Sequence, residues 1–298
     1  MGEASERASS TRQFERHRPR LRAVAYRMLG SVSEAEDAVQ EAWLRLHRTD
    51  TSGVQNLDGW LTTVVGRVCL NMLRSCRSRR EEPLDVHVPD PIVSPESGLD
   101  PEHEALLADS VGLALLVVLE TLTPTERLAF VLHDMFAVPF DEIAPMVERS
   151  PAAARQLASR ARRRVHQGAP APDPDLARQR EVVDAFFTAA RIGDFSALVT
   201  VLAPDVVLRA DGGLARARQT TVLRGAQSVA EQALTFARLS PFTRPVLVNG
   251  AAGGIVAAHG RPLSIMGFTV TQGRIAAIDV LVDPERLRGL DPSRLPDH

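Results

Sequence analysis

Between Glu81 and Ser110 the chain carries nine acidic residues and five prolines but no arginine, an abrupt change in a sequence otherwise dense in arginine. A stretch of this composition buries little apolar surface and interrupts both helices and strands. It divides the chain and predicts an extended linker over 81–101. A second break, Gly168-Ala-Pro-Ala-Pro-Asp-Pro-Asp175, predicts another linker over 168–175. Two such breaks leave three parts, and 298 residues suffice to give each a core.

The part over 12–80 reads as helices. Leu21, Val24, Ala25, Met28 and Leu29 form one apolar stripe, and Ala35, Ala38, Val39, Ala42, Trp43 and Leu46 form another. Ser33 followed by Glu36 predicts a capping box at the start of the second helix. A third helix over 57–80 buries Leu61, Val64, Val68 and Leu73, with Trp60 on the same stripe, so the expectation is a three-helix bundle.

The part over 102–167 is helical too, with a break at Leu122-Thr123-Pro124 where Thr123 and Glu126 form a capping box. PFDEIAPMV predicts a short amphipathic helix. After a break at Glu148, Arg149 and Ser150 comes SPAAARQLASRARRRV, with five arginines and no acid. Ser150 is its N-cap and Pro151 its first helical residue. Ala154, Leu157, Ala161 and Val165 face a core, while Arg155, Gln156, Ser159, Arg160 and Arg163 project from the other side. Helix, tight turn and basic helix is a DNA-binding arrangement in which the second helix enters the major groove.

Over 176–298, two helices around Val183 to Ala190 and Leu198 to Leu202 precede strand-like runs: VVLRA, ARQTTVLR, RPVLV, GIVAAHG, LSIMGFTV and RIAAIDVLV. One helix over 226–239 interrupts them. This order predicts an α+β domain with a curved, mostly antiparallel sheet. Hydrophobic residues at 44% and charged residues at 24% are ordinary for a globular protein. No apolar run reaches the ~18 residues of a bilayer span. The polar first twenty residues lack the apolar core of a secretory signal, and the expected location is the cytoplasm. Cys69 and Cys76 sit seven residues, hence about 10 Å, apart on one helix, which is beyond disulfide reach, and no metal site surrounds them.

With these pieces placed, the first 166 residues resemble the extracytoplasmic-function sigma factors, built from a σ2 bundle and a σ4 helix-turn-helix. SEAEDAVQEAWLRL is similar to the σ2 segment that docks on the clamp helices of the RNA polymerase β′ subunit. The resemblance makes Asp37, Gln40 and Glu41 the core-binding residues, and their i, i+3, i+4 spacing puts them on one helix face. NLDGWLTTVVGRVCLNMLRSCRSRR is similar to the σ2 element that opens and reads the -10 region. That implies a flipped base held by the loop over 50–57, and a strand lined by Arg67, Asn71, Arg74 and Arg77. SPAAARQLASRARRRV is similar to the σ4 helix that reads the -35 element. Arg155, Gln156 and Ser159 then take the groove-facing turns, and Arg160, Arg162 and Arg163 the phosphates, with a place over its own domain the alternative for Arg162.

Residues 176–298 resemble the SnoaL-like cone, which the SigJ type of sigma factor carries at its C-terminus. RADGGLARA matches an Asp-Gly-Gly-Gly motif at Asp211, Gly212 and Gly213, with Leu214 in place of the last glycine. DPERL, from Asp283 and Pro284 to Leu287, resembles a tail motif Asn-Pro-Asp-Lys-Leu. HVPDP, His87 to Pro91, is similar to a linker motif Trp-Leu-Pro-Glu-Pro, without the tryptophan.

The fold class expected is therefore an all-α σ2 bundle and an all-α σ4 helix-turn-helix, followed by an α+β SnoaL-like cone with a curved antiparallel sheet. The resemblance implies a sigma factor with core RNA polymerase and promoter DNA as partners, regulated in cis by its cone, without cofactor, metal, membrane or separate anti-sigma factor. Asp211, Gly212 and Gly213 are expected to face the linker and the DPERL tail to pack on σ2. The cone leaves room for a small-molecule ligand. Two other readings compete. SnoaL-like cones host enzymes, for which Asp205, Asp211, His259 and Asp279 are the candidate acid-base groups, although fold alone confers no activity. A ligand-sensing helix-turn-helix repressor accounts for the basic helix and leaves the N-terminal bundle unexplained.

Overall fold

A computed structural model describes residues 2–49, 54, 56–79, 86–95, 112–168, 170–213, 215–258 and 261–289. They belong to two compact units, one of Met1–Glu82, Pro101–Asp109 and Val118–Gln167, the other of Pro83–Asp100, Ser110–Val117 and Gly168–His298.

The first unit opens with α1 (Gly2–Leu29), α2 (Val32–Arg48) and α3 (Leu57–Arg79). The stripes read from the sequence are the buried ones on α1 and α2, with Trp43 half-buried against the Phe14 ring at 4.8 Å. The cap of α2 differs. Ser31, not Ser33, accepts from the Glu34 amide, because Ser-x-x-Glu occurs twice in overlapping register and the earlier copy starts the helix. On α3, Val65, Cys69 and Leu70 are buried in addition to Leu61, Val64 and Val68, whereas Leu73 is only half-buried.

The extra burial on α3 has a cause in the next elements. The division between the units falls inside α4 (Leu113–Glu120), beyond which come α5 (Pro124–Phe130), a π-helical turn (Val131–Met135), α6 (Phe140–Ile143) and α7 (Pro151–Gly168). Thr123 and Glu126 form the expected capping box on α5. At Gly66 of α3, an added Cβ would stand 3.3 Å from the side chains of Leu128 and Leu132 and 3.4 Å from the Met146 sulfur, so the absent side chain permits a close approach. Arg127, almost fully buried, donates from Nη1 to the Met28 carbonyl at 2.6 Å and from Nε to the Leu119 carbonyl at 2.8 Å. Burial pulls its pKa down to about 10, so it remains a cation at neutral pH. These bonds join the helix-turn-helix to the bundle within the first unit.

The second unit is built on a seven-stranded sheet of order β1-β4-β5-β6-β7-β2-β3. Its strands are β1 (Val93–Ser94), β2 (Leu202–Asp211), β3 (Thr221–Arg224), β4 (Thr243–Val248), β5 (Ala251–Ala258), β6 (Arg261–Thr271) and β7 (Arg274–Leu281). The sheet is mixed, not antiparallel throughout: β2 and β7 run parallel, which period-two alternation cannot signal. Helices α8 (Leu176–Ile192), α9 (Phe195–Val201) and α10 (Ala226–Thr235) join it, and α11 (Pro284–Arg288) follows β7. Phe186, Phe187 and Phe268 meet edge-on at 5.4–5.7 Å in the core, and Gly254 leaves room for the Phe187 ring.

Neither linker is free along its described length. Val86, Val88, Ile92 and Val93 are buried, and Val93 and Ser94 pair with Val248 and Leu247 of β4. In the second linker, Asp173 accepts from the Gln272 and Gly273 amides, both at 3.0 Å. Among the described residues no helix is long and apolar enough to cross a membrane.

Replacing Arg127 by Met removes the side-chain donor from the buried Met28 carbonyl and leaves the Leu119 carbonyl with its bond from the Leu122 amide alone. The expected loss in urea unfolding is about 2–5 kcal/mol, and a change below about 1 kcal/mol would refute this account of the joint.

Candidate functional site

Ser150 and Pro151 open α7 as expected, with Ser150 Oγ accepting from the Ala153 amide. Its buried positions are Ala154, Ala158 and Ala161; Leu157 and Val165, expected in the core, are half-buried. The fully buried face of α7 is thus made of alanines. Arg155, Gln156, Ser159, Arg160 and Arg163 are all exposed.

The arginines of α7 fall into different classes. Arg160 Nε and Arg164 Nη1 bond to the two carboxylate oxygens of Glu126, at 3.2 and 3.0 Å, and Arg162 pairs with Asp134. Arg160 is thus engaged inside its own unit as well as lying on the exposed face. Arg155 instead stands with its guanidinium carbon 5.3 Å from the centre of the Phe140 ring. Burial opposes charge on Glu126, yet hydrogen bonds from the Thr123 hydroxyl and amide, and the Arg164 and Arg160 cations, outweigh it. The carboxyl is held below the usual glutamate range. Glu126 therefore fixes the start of α5 and the middle of α7 at once.

On α3, Arg67, Asn71 and Arg74 share one exposed face at spacings of four and three. Arg77 lies on the same helix, its side chain outside the described residues, and most of the loop over 50–57 is outside them too. Asn56, which the sequence reading passed over, caps α3 by accepting from the Gly59 amide at 3.1 Å. On α2, Asp37 and Gln40 are exposed, while Glu41 is partly buried and bonded to Arg45 at 2.8 Å.

The second unit holds a polar cluster on the first linker. The Val88 amide donates to Asp211 Oδ2 at 2.9 Å. Arg286 of α11 donates to the same oxygen at 2.9 Å, to Asp90 Oδ1 at 2.8 and 2.6 Å, and to the Val88 carbonyl at 2.6 Å. Asn249, with φ 51°, bonds Ile92 both ways: its amide donates to the Ile92 carbonyl and its side chain accepts from the Ile92 amide. Gly213, at φ 59°, lies where a Cβ would strike the Asp283 carboxylate. Asp283 in turn caps α11, Pro284 is its first residue, and Leu287 is buried. Asp211, Gly212, Gly213, Asp283, Pro284 and Leu287 therefore surround one site. The DPERL helix, expected on σ2, makes these contacts to the linker and the cone. Arg286 lies within DPERL and Asp90 within HVPDP, whereas no motif marks Asn249.

The candidate acid-base groups of the cone are otherwise engaged, exposed or outside the described residues. Asp211 is committed to the linker, Asp205 is exposed, and His259 lies outside the described residues. Asp279 is buried and paired with Arg209 at 2.9 Å; burial raises its carboxyl above the usual range and Arg209 offsets part of that. Among the described residues no cluster of His, Cys, Asp or Glu could hold a metal ion.

The family descriptions Sigma-70 region 2 and Sigma-70, region 4 match residues 13–80 and 112–165. The chain is 38% identical to the ECF RNA polymerase sigma factor SigJ of Mycobacterium tuberculosis over 292 residues, 93% of each chain. It is 37% identical over 285 residues to the probable ECF RNA polymerase sigma factor SigI of the same species, again 93% of each. The crystal structure of M. tuberculosis SigJ superposes with a TM-score of 0.76 at 36% identity, covering 94% of this chain and 98% of that one.

Because Glu126 has a lowered folded-state pKa, its stabilisation is present above the unfolded value of about 4.3 and is lost as pH falls through the folded value. Glu126→Gln should cost about 1–3 kcal/mol in urea unfolding at pH 7, with the gap to wild type closing as the pH falls below the ordinary glutamate range. A gap that stays constant with pH would contradict the charged clamp.

Proposed function

The chain belongs to the extracytoplasmic-function RNA polymerase sigma factors, and from that premise we propose how its parts divide the work of transcription initiation. It is an initiation factor for promoter-specific transcription, not an enzyme, and its C-terminal domain is a SnoaL-like α+β cone with a mixed sheet. Region σ2, over 12–80, docks on the clamp helices of core polymerase through Asp37, Gln40 and Glu41. It opens the -10 element with Arg67, Asn71, Arg74 and Arg77. Region σ4, over 102–167, reads the -35 element. The observation that carries this is the exposed row Arg155, Gln156, Ser159 and Arg163 on the second helix of the turn motif. Arg155 and Gln156 have the geometry for base edges, and Arg163 serves the backbone. A repressor reading is disfavoured by the match of the bundle to region 2.

The cone, over 176–298, regulates in cis by holding the σ2–σ4 linker. What supports this is the set of bonds from Asp211, Asn249 and Arg286 to Val88, Asp90 and Ile92. Clipping residues 86–94 to the cone removes up to about 30 Å of extended reach from the chain joining the two promoter-reading regions. A tethered partner acts at an effective concentration on the order of millimolar, so a separate anti-sigma factor is unnecessary. The reading also needs no ligand inside the cone, where three phenylalanines pack together. The working compartment is the cytoplasm, with core polymerase and promoter DNA.

The test is transcription from one promoter, at matched concentration, by core polymerase with the full chain, a chain ending at Val282 and a chain ending at Gln167. Loss of α11 removes Arg286 alone from the linker cluster, and loss of the cone removes Asp211 and Asn249 as well. Three distinct initiation rates are expected. Equal rates would remove the cone from regulation.

A further inference from the structure

The arginines of α7 are held in two chemically different ways. Acid partners take the N–H edges of Arg160, Arg162 and Arg164. For Arg155 the contact is with a ring face, and no hydrogen bond or ion pair engages it among the described residues. A guanidinium stacked on an aromatic face keeps its in-plane donors free, and those donors are what a bidentate contact to guanine O6 and N7 uses.

The ring is itself fixed. Phe140 is the first residue of α6 and stacks on His133, centroids 3.8 Å apart and planes 28° apart. His133 lies in the π-helical turn, and its Nδ1 is 3.0 Å from the Val138 carbonyl. Because a carbonyl only accepts, that nitrogen carries the proton. Phe140 of α6 is thus in contact both with His133 of the π-helical turn and with Arg155 of α7.

We propose that Phe140 is a positioning residue for promoter reading: it holds the Arg155 guanidinium by its face, edge outward, and so sharpens the preference for a guanine in the -35 element. This rests on the reading of α7 as the -35 helix. An unrestrained arginine loses much rotamer freedom on binding a base, and the ring reduces that loss beforehand. Phe140 touches no base itself. Its effect is confined to the position that Arg155 reads.

The experiment uses the full chain in holoenzyme with core polymerase, selecting from a promoter library randomised through the -35 element, with random DNA as the reference. Arg155→Ala should abolish the guanine preference at one position. Phe140→Leu should weaken that same preference about three- to five-fold, the scale of an exposed cation–π contact, with binding to random DNA unchanged. Phe140→Tyr, which keeps the ring, should retain it, and Phe140→Leu should add nothing in the Arg155→Ala background. If Arg155→Ala flattens one position and Phe140→Leu does not affect it, the positioning role alone is wrong. Equal losses on promoter and random DNA for Phe140→Leu, or loss of the preference in Phe140→Tyr, would also overturn it. If Arg155→Ala keeps every preference, the base-reading assignment falls, and the positioning role with it.

Discussion

One guanidinium, that of Arg286, gathers the second unit around the linker. It bonds Asp90, 196 residues earlier in the chain, together with the Val88 carbonyl and Asp211. Each part of the local sequence has a reason once this contact is in place. Asp283 and Pro284 start the short helix that presents Arg286, Leu287 anchors it in apolar surroundings, and Gly213 leaves space for Asp283. Asp211 uses its other oxygen on the Gly213 amide, so both oxygens of a buried carboxylate are satisfied. The acidic character of the linker is thereby partly structural, since Asp90 is one of its charges and is paired.

The helical unit solves a related problem with the opposite charge arrangement. A DNA-reading helix needs exposed arginines, yet a run of cations on one helix repels itself and would sit loosely on a core of alanines. Glu126 and Asp134 neutralise three of them from behind, and Thr123 keeps Glu126 in place. Arg155 and Arg163 are exposed and carry no ion pair among the described residues. The same unit is closed by Arg127, whose buried charge links the helix-turn-helix to the end of α1 through a backbone carbonyl.

The helices and the turn motif were legible because periodicity and caps are local: Thr123 with Glu126, and Ser150 with Pro151, mark starts that the structure uses. Where two local signals overlapped, at Ser31 and Ser33, sequence alone had no means of choosing. The burial of the linker is not legible because its apolar residues, Val86, Val88, Ile92 and Val93, are diluted by prolines and acids; composition averages away a strand of two residues. Arg286 and Asn249 were invisible for another reason. Their partners are distant in sequence, and an arginine in a short polar tail or an asparagine in an Asn-Gly turn looks the same with or without them. The direction of β2 against β7 likewise depends on the return path of the chain and not on alternation along either strand.

Amide hydrogen exchange in the full-length chain tests directly whether the cone holds the linker through Arg286. In wild type the Val88 and Ile92 amides, bonded to Asp211 and Asn249, should be protected. In Arg286→Ala the Val88 amide should exchange at least about tenfold faster, as expected for loss of roughly 1.4 kcal/mol or more of local stability, while the amides of β6 remain as slow as before. Unchanged protection at Val88 would contradict the claim.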